Sequence, residues 1–244
     1  MGGATAVLTG PRGSRVAALA ALLALVGLYT AFGGALPELS TTWDVLFIAA
    51  FVMPAVFGFV WFALPWRDAR GLLAVGLALG ALALLLREAD ADTLFDLAKL
   101  GALTALGFWF LSVFEELWWV VLVSCVIPWV DIASVWRGPT EYVVSEQPGL
   151  FEELAFGFRV PGEDEFALLG PPDVLFFALF LAAAARFGLR AGWTWIAMTA
   201  GLGLTLVLTV VWEDVAGLPA LPAISLGFLL PNVDLIWRRL RAAG

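Results

Sequence analysis

Residues 117–136 read LWWVVLVSCVIPWVDIASVW, twenty residues in which Asp131 is the only charged side chain. A run of that length and apolarity matches the ~20 residues that an α-helix needs to cross a bilayer. An acid inside such a run is costly to insert, at roughly 2.5–3.5 kcal/mol, and marks a functional-site candidate. Two questions follow: how many such spans the chain has, and what Asp131 is for.

Seven further runs have the same character: 16–36, 44–65, 70–87, 96–114, 167–187, 192–211 and 219–238. The 244 residues are 62% hydrophobic with a mean hydropathy of +0.96, where a soluble domain holds about 45–50% apolar residues. The fold class expected is an all-α, polytopic transmembrane bundle of eight helices. Three parts are anticipated. Residues 1–136 carry the N-terminal helices through the Asp131 helix, 137–165 form an acidic extramembrane loop, and 166–244 form a C-terminal three-helix part. The first run is too long for a signal-peptide core and has no clear cleavage site, so it is read as a retained span.

The chain has no histidine, one lysine and one cysteine. Serine–histidine catalysis, an HExxH zinc site and a histidine base are therefore excluded. Carboxylates, Lys99 and hydroxyls remain, and neither a metal nor a cofactor is expected. Cys125 has no partner for an internal disulfide and is read as a packing residue. The net charge of −8 predicts no nucleic-acid partner. Acidic loops poor in lysine suit a high-salt milieu, where a charged surface stays solvated.

Nine of the thirteen basic residues fall on one side of an eight-span topology: Arg12, Arg15, Arg67, Arg70, Arg186, Arg190, Arg238, Arg239 and Arg241. The positive-inside rule then puts both termini in the cytoplasm of a cell-membrane protein. Glu115 and Glu116 fall on that same side against the trend. Within the long loop, TEYVVS (140–145) and LAFGFRV (154–160) have strand character and flank a Pro-Gly turn at 148–149. They suggest a β-hairpin lying over the membrane.

Two more acids touch apolar runs. Asp173 in LLGPPDVLFF (168–177) follows two prolines. Proline and an acid both suit a first helical turn, so Asp173 reads as a cap if the helix starts there. If the helix starts near Phe166, as the apolar FALL suggests, the prolines break it at membrane depth and require a lined cavity. Asp234 stands four residues before Arg238, a spacing for a helical ion pair, and is read as structural. For Asp131 the competing reading is an acid reaching the interface or pairing with Arg137. Taken together, Asp131 and Asp173 offer a different chemistry. Two carboxylates close together in a low-dielectric site share one proton, so one activates water while the other donates to a carbonyl.

With GLPALPAISLGFLLP (217–231) downstream, the helices carrying Asp131 and Asp173 resemble the presenilin and signal-peptide-peptidase group of intramembrane aspartyl proteases, and in length its archaeal members most. Pro219, Ala220 and Leu221 match that family's Pro-Ala-Leu motif letter for letter, and DIASVW (131–136) is similar to the stretch around its first aspartate. The resemblance spans about residues 117–238. It implies a catalytic Asp131–Asp173 dyad and substrate contacts at Gly170, Pro171, Pro172, Pro219, Ala220 and Leu221. It also implies transmembrane or signal-peptide substrates, which a loop strand would hold unwound by strand addition. The chain departs from the family in three respects. Val130 precedes Asp131 where an aromatic is usual, Gly170-Pro171-Pro172-Asp173 puts proline at the second glycine of GxGD, and eight spans stand where the family has nine. Two other functions stay open on sequence alone. One is a catalytically silent homologue serving as a membrane scaffold or chaperone. The other is a small transporter or leak channel that uses the same acids as ion sites.

Overall fold

The computed structural model of the chain describes residues 11–137, 154–163, 166–211 and 218–243. Helix occupies most of each of the eight expected runs. α1 (Pro11–Phe32) ends in a 3₁₀ turn at Gly33–Ala35, and α2 (Thr41–Trp66) follows. α3 (Leu72–Glu88), α4 (Asp92–Leu111) and α5 (Leu117–Arg137) are joined by short links. After strands β1 (Phe156–Arg159) and β2 (Phe166–Leu169) come α6 (Pro171–Arg186), α7 (Ala191–Val211) and α8 (Leu221–Leu229). A 3₁₀ turn at Leu230–Asn232 leads from α8 into α9 (Val233–Ala243).

Inside α2, residues Ile48–Val52 form a π turn just ahead of Pro54. Proline lacks the N–H that would bond the carbonyl four residues back and its ring crowds that carbonyl, and a widened turn is one way a helix absorbs the mismatch. Pro231 marks the corresponding break between α8 and α9.

Among the described residues, five helical stretches are long and apolar enough to cross a membrane: Gly13–Ala35, Thr41–Trp66, Asp92–Leu111, Leu117–Val135 and Ala191–Val210. α3 and α6 are shorter, at 17 and 16 residues. For α6 the reason is its position. Every residue from Phe177 to Ala184 is wholly buried, because α4, α5, α7 and α8 all pack around it. Phe177 stacks on Phe57 of α2 at 4.1 Å and Phe180 on Phe228 of α8 at 5.1 Å. The outside of the bundle is the reverse, with Trp43, Leu84, Leu85, Trp129, Trp193 and Trp237 all exposed. An apolar exterior with exposed tryptophans is compatible with integration in a membrane.

The strands correct two expectations. FALL (166–169) does not open a helix. It is β2, paired antiparallel with Phe156–Arg159, and the helix begins at Pro171. The hairpin therefore pairs the second anticipated strand with FALL, crossing the expected 165/166 boundary, while TEYVVS lies outside the described residues. Two clasps hold it to the bundle. The Tyr29 hydroxyl of α1 donates to the Arg159 carbonyl, and Lys99 of α4 donates to the Ala155 carbonyl. Gly162 adopts φ 76° and gives its N–H to Gly33 O at 3.0 Å. A Cβ at Gly162 would lie 2.5 Å from the Glu38 nitrogen, so only glycine fits.

α4 and α6 approach closely at Gly107. At Gly107 a Cβ would lie 2.5 Å from the Leu175 carbonyl oxygen and 2.8 Å from the Ala178 methyl. Gly107→Ala must therefore push α6 away from α4, and should destabilise the protein by about 1–3 kcal/mol. Thermal unfolding in detergent measures this. Gly80→Ala, where a Cβ meets nothing within 4 Å, serves as the control and should leave the midpoint unchanged or raised.

Candidate functional site

A helix start leaves backbone N–H groups with no carbonyl one turn earlier, and in an apolar surround each must find an acceptor. Two such starts meet Asp131 and Asp173. Gly170 is the N-cap of α6, in an extended conformation (φ −63°, ψ 145°), with Pro171 and Pro172 in the first two helical positions. Neither proline has an N–H to satisfy, which is why the pair fits there. Asp173 at the third position turns back, and its Oδ2 accepts the Gly170 N–H at 3.1 Å. Its side chain is buried, with 9% of the residue accessible. The helix thus starts at the prolines, and they do not interrupt it at depth.

The second start belongs to α8. Pro219 and Ala220 lead in, Leu221 is the first helical residue and Pro222 the second. The Leu221 N–H donates to Asp131 Oδ2 at 3.0 Å, across 90 residues of chain. The Ala220 amide faces the same carboxylate. Asp131 is half-buried on α5 and does not snorkel free of the bundle. Its partner is the Pro-Ala-Leu stretch. α5 packs against both α6 and α8. All eight sequence-predicted residues (Asp131, Asp173, Gly170, Pro171, Pro172, Pro219, Ala220, Leu221) therefore gather at one junction of three helices, immediately below β2. The positive ends of two helix dipoles point at this junction.

Among the described residues no three acids, cysteines or histidines converge as a metal site. Two cavities among the described residues, of about 430 and 450 Å³, are lined by other residues.

Other expectations change. Asp234 does not pair with Arg238. It forms a two-pronged ion pair with Arg190 of the α6–α7 link, at 2.5 and 2.8 Å. The pair is solvent-exposed, a setting worth little to stability. The buried polar anchor nearby is Asn232, which accepts the Arg190 N–H and donates to Thr194 and Phe228 O. Cys125 is exposed on the outer face of α5 and is not a core residue.

Two acids escaped the sequence reading. Asp96 pairs with Lys99 at 2.8 Å, both side chains 11% exposed, beneath the hairpin clasp. Asp44, on α2, is 2% accessible and neither carboxylate oxygen has a hydrogen-bond partner. It is the first residue of the apolar run 44–65, and only the packing reveals its burial.

No model of a known protein family matches the chain, and no curated protein matches it.

If the Leu221–Asp131 bond carries the α5–α8 contact, replacements at 131 should separate by hydrogen-bonding ability. Asp131→Asn retains an acceptor oxygen and should unfold within about 1 kcal/mol of the wild type. Asp131→Leu leaves the Leu221 N–H unsatisfied and should cost about 1–3 kcal/mol. Thermal unfolding of the two variants in detergent distinguishes them.

Proposed function

We propose that the chain is an intramembrane aspartyl protease of the presenilin-like type, hydrolysing peptide bonds of transmembrane or signal-peptide substrates with the Asp131–Asp173 pair. One observation carries the reading. Two acids 42 positions apart sit at one helix junction, and the Pro-Ala-Leu stretch is bound directly to one of them. In this reading the protein lies in the cell membrane with both termini cytoplasmic.

In the reaction, one carboxylate is ionised and takes a proton from a water molecule. The other is protonated and donates to the scissile carbonyl oxygen as the water oxygen attacks the carbon. The tetrahedral intermediate collapses when its hydroxyl proton returns to the pair and the leaving nitrogen takes a proton, so the dyad ends as it began. No metal or cofactor enters these steps. Each aspartate commits Oδ2 to a helix-start amide, which fixes its carboxyl plane and leaves Oδ1 for water or substrate. A substrate helix must unwind to expose its carbonyl. The β hairpin, one residue from α6, offers an edge for the unwound segment by strand addition. Gly170, Pro171 and Pro172 on one side, and Pro219, Ala220 and Leu221 on the other, would flank it.

A second reading rests on the same hydrogen bonds. Both carboxylates already act as helix caps, and Pro172 stands at a motif glycine, which suits a catalytically silent relative with a scaffold role.

Purified protein in liposomes with a generic transmembrane substrate separates the two. The protease reading expects cleavage, lost by roughly 10²–10⁴-fold or more in both Asp131→Ala and Asp173→Ala. Equal product from either variant would sink it, and no cleavage under any condition would favour the scaffold. A working dyad needs one proton between two acids, so the rate should also fall on both the acid and the alkaline side of an optimum. A rate that rises monotonically with pH would count against the pair.

A further inference from the structure

At the end of α4 away from the hairpin, the link between α2 and α3 borders a recess of about 430 Å³. Its walls carry three guanidinium groups, Arg67, Arg70 and Arg186, against a single carboxylate, Asp68. Two of the three are held in place by the backbone. Arg186 Nη1 donates to the Leu111 carbonyl at 3.1 Å and Arg67 Nη1 to the Leu64 carbonyl at 3.2 Å, which leaves the Nη2 of each available. The Arg67 Nε is ion-paired with Asp68 Oδ2 at 3.2 Å, without hydrogen-bond alignment. Arg70 is exposed, and no acid among the described residues pairs with it.

The backbone adds to the same field. α3 starts after Gly71 (φ 80°) with no side-chain cap, so its first amides, at Leu72 and Leu73, end at the recess. Phe108 and Trp109 supply an apolar wall. Positive-inside bias alone would scatter arginines over this face. Here they converge on a concavity that also has an uncapped helix start.

We propose that this recess binds an anionic phosphate group, presented by a phospholipid of the adjoining leaflet or by a soluble phosphate. Guanidinium forks match phosphate oxygens in pairs, an uncapped helix start adds amide donors, and basic recesses between membrane helices accept head groups in this way. The assignment is independent of the proteolytic reading, since none of these residues belongs to the Asp131–Asp173 junction.

The test uses the full chain in neutral detergent. Short-chain phosphatidylglycerol, phosphatidylcholine of the same chain length, and inorganic phosphate are titrated in separate arms, with native mass spectrometry for the lipids and calorimetry for phosphate. Saturable binding of phosphatidylglycerol or of phosphate is expected, about fivefold weaker in Arg70→Gln and weaker again in Arg67→Gln/Arg70→Gln. Arg241→Gln, a basic residue outside the recess, should bind as wild type. Arg70 has no partner among the described residues, so Arg70→Gln should melt unchanged, and an unchanged midpoint separates weaker binding from misfolding. Preference for phosphatidylglycerol identifies a lipid head group, and Arg70-dependent phosphate binding of similar strength identifies a soluble ligand. Equal losses in Arg70→Gln and Arg241→Gln, or no discrimination of phosphatidylglycerol from phosphatidylcholine alongside no phosphate binding, would overturn the proposal.

Discussion

The Leu221 amide has no carbonyl one helical turn behind it, and in an apolar bundle it cannot be left bare. Asp131 meets that demand from a different helix, 90 residues earlier in the chain. This one bond ties the start of α8 to α5 and brings the Pro-Ala-Leu stretch against an acid. Asp173 meets the equivalent demand at Gly170 within its own helix. Structural caps and candidate catalytic groups are thus the same atoms' neighbours. A carboxylate held at a helix start is both oriented and charge-stabilised, which are the properties acid–base chemistry requires.

The packing around α6 follows from this arrangement. A helix that carries a buried acid in its first turn is shielded from lipid by α4, α5, α7 and α8, and it can afford only 16 residues because protein, not bilayer, surrounds it. Small residues allow the approach. Gly107 admits α6 against α4, and Gly227 admits α8 against α7, where a Cβ would lie 2.6 Å from the Met198 nitrogen. The bundle is therefore tight at its centre and apolar on its outside.

Much of this was legible in sequence, and the failures have physical causes. Eight apolar runs became eight helical runs, since length and hydropathy are read directly from composition. FALL suggests a helix start and is a strand, because a short apolar run suits a buried strand as well as a helix. The two prolines after it were the better signal. Asp234 was matched to Arg238 by i,i+4 spacing, whereas its partner Arg190 lies 44 residues away in a link that only tertiary packing brings near. Cys125 reads as a packing residue because composition does not say which face of an apolar helix meets lipid. Asp44 escaped for the complementary reason, since its burial depends on helices distant in the chain. The gathering of Asp131, Asp173 and Leu221 was suggested only by the Pro-Ala-Leu resemblance. Spacing alone left adjacency open.

The hairpin and α6 are separated by one residue, Gly170, followed by two prolines with fixed φ. Such a junction is a stiff coupling and not a hinge. The hairpin is also bolted at two points, to α1 through Tyr29 and to α4 through Lys99. Any displacement of the hairpin therefore acts as a lever on the first turn of α6, where Asp173 sits. Helices without a candidate catalytic residue consequently set the aim of one that has it.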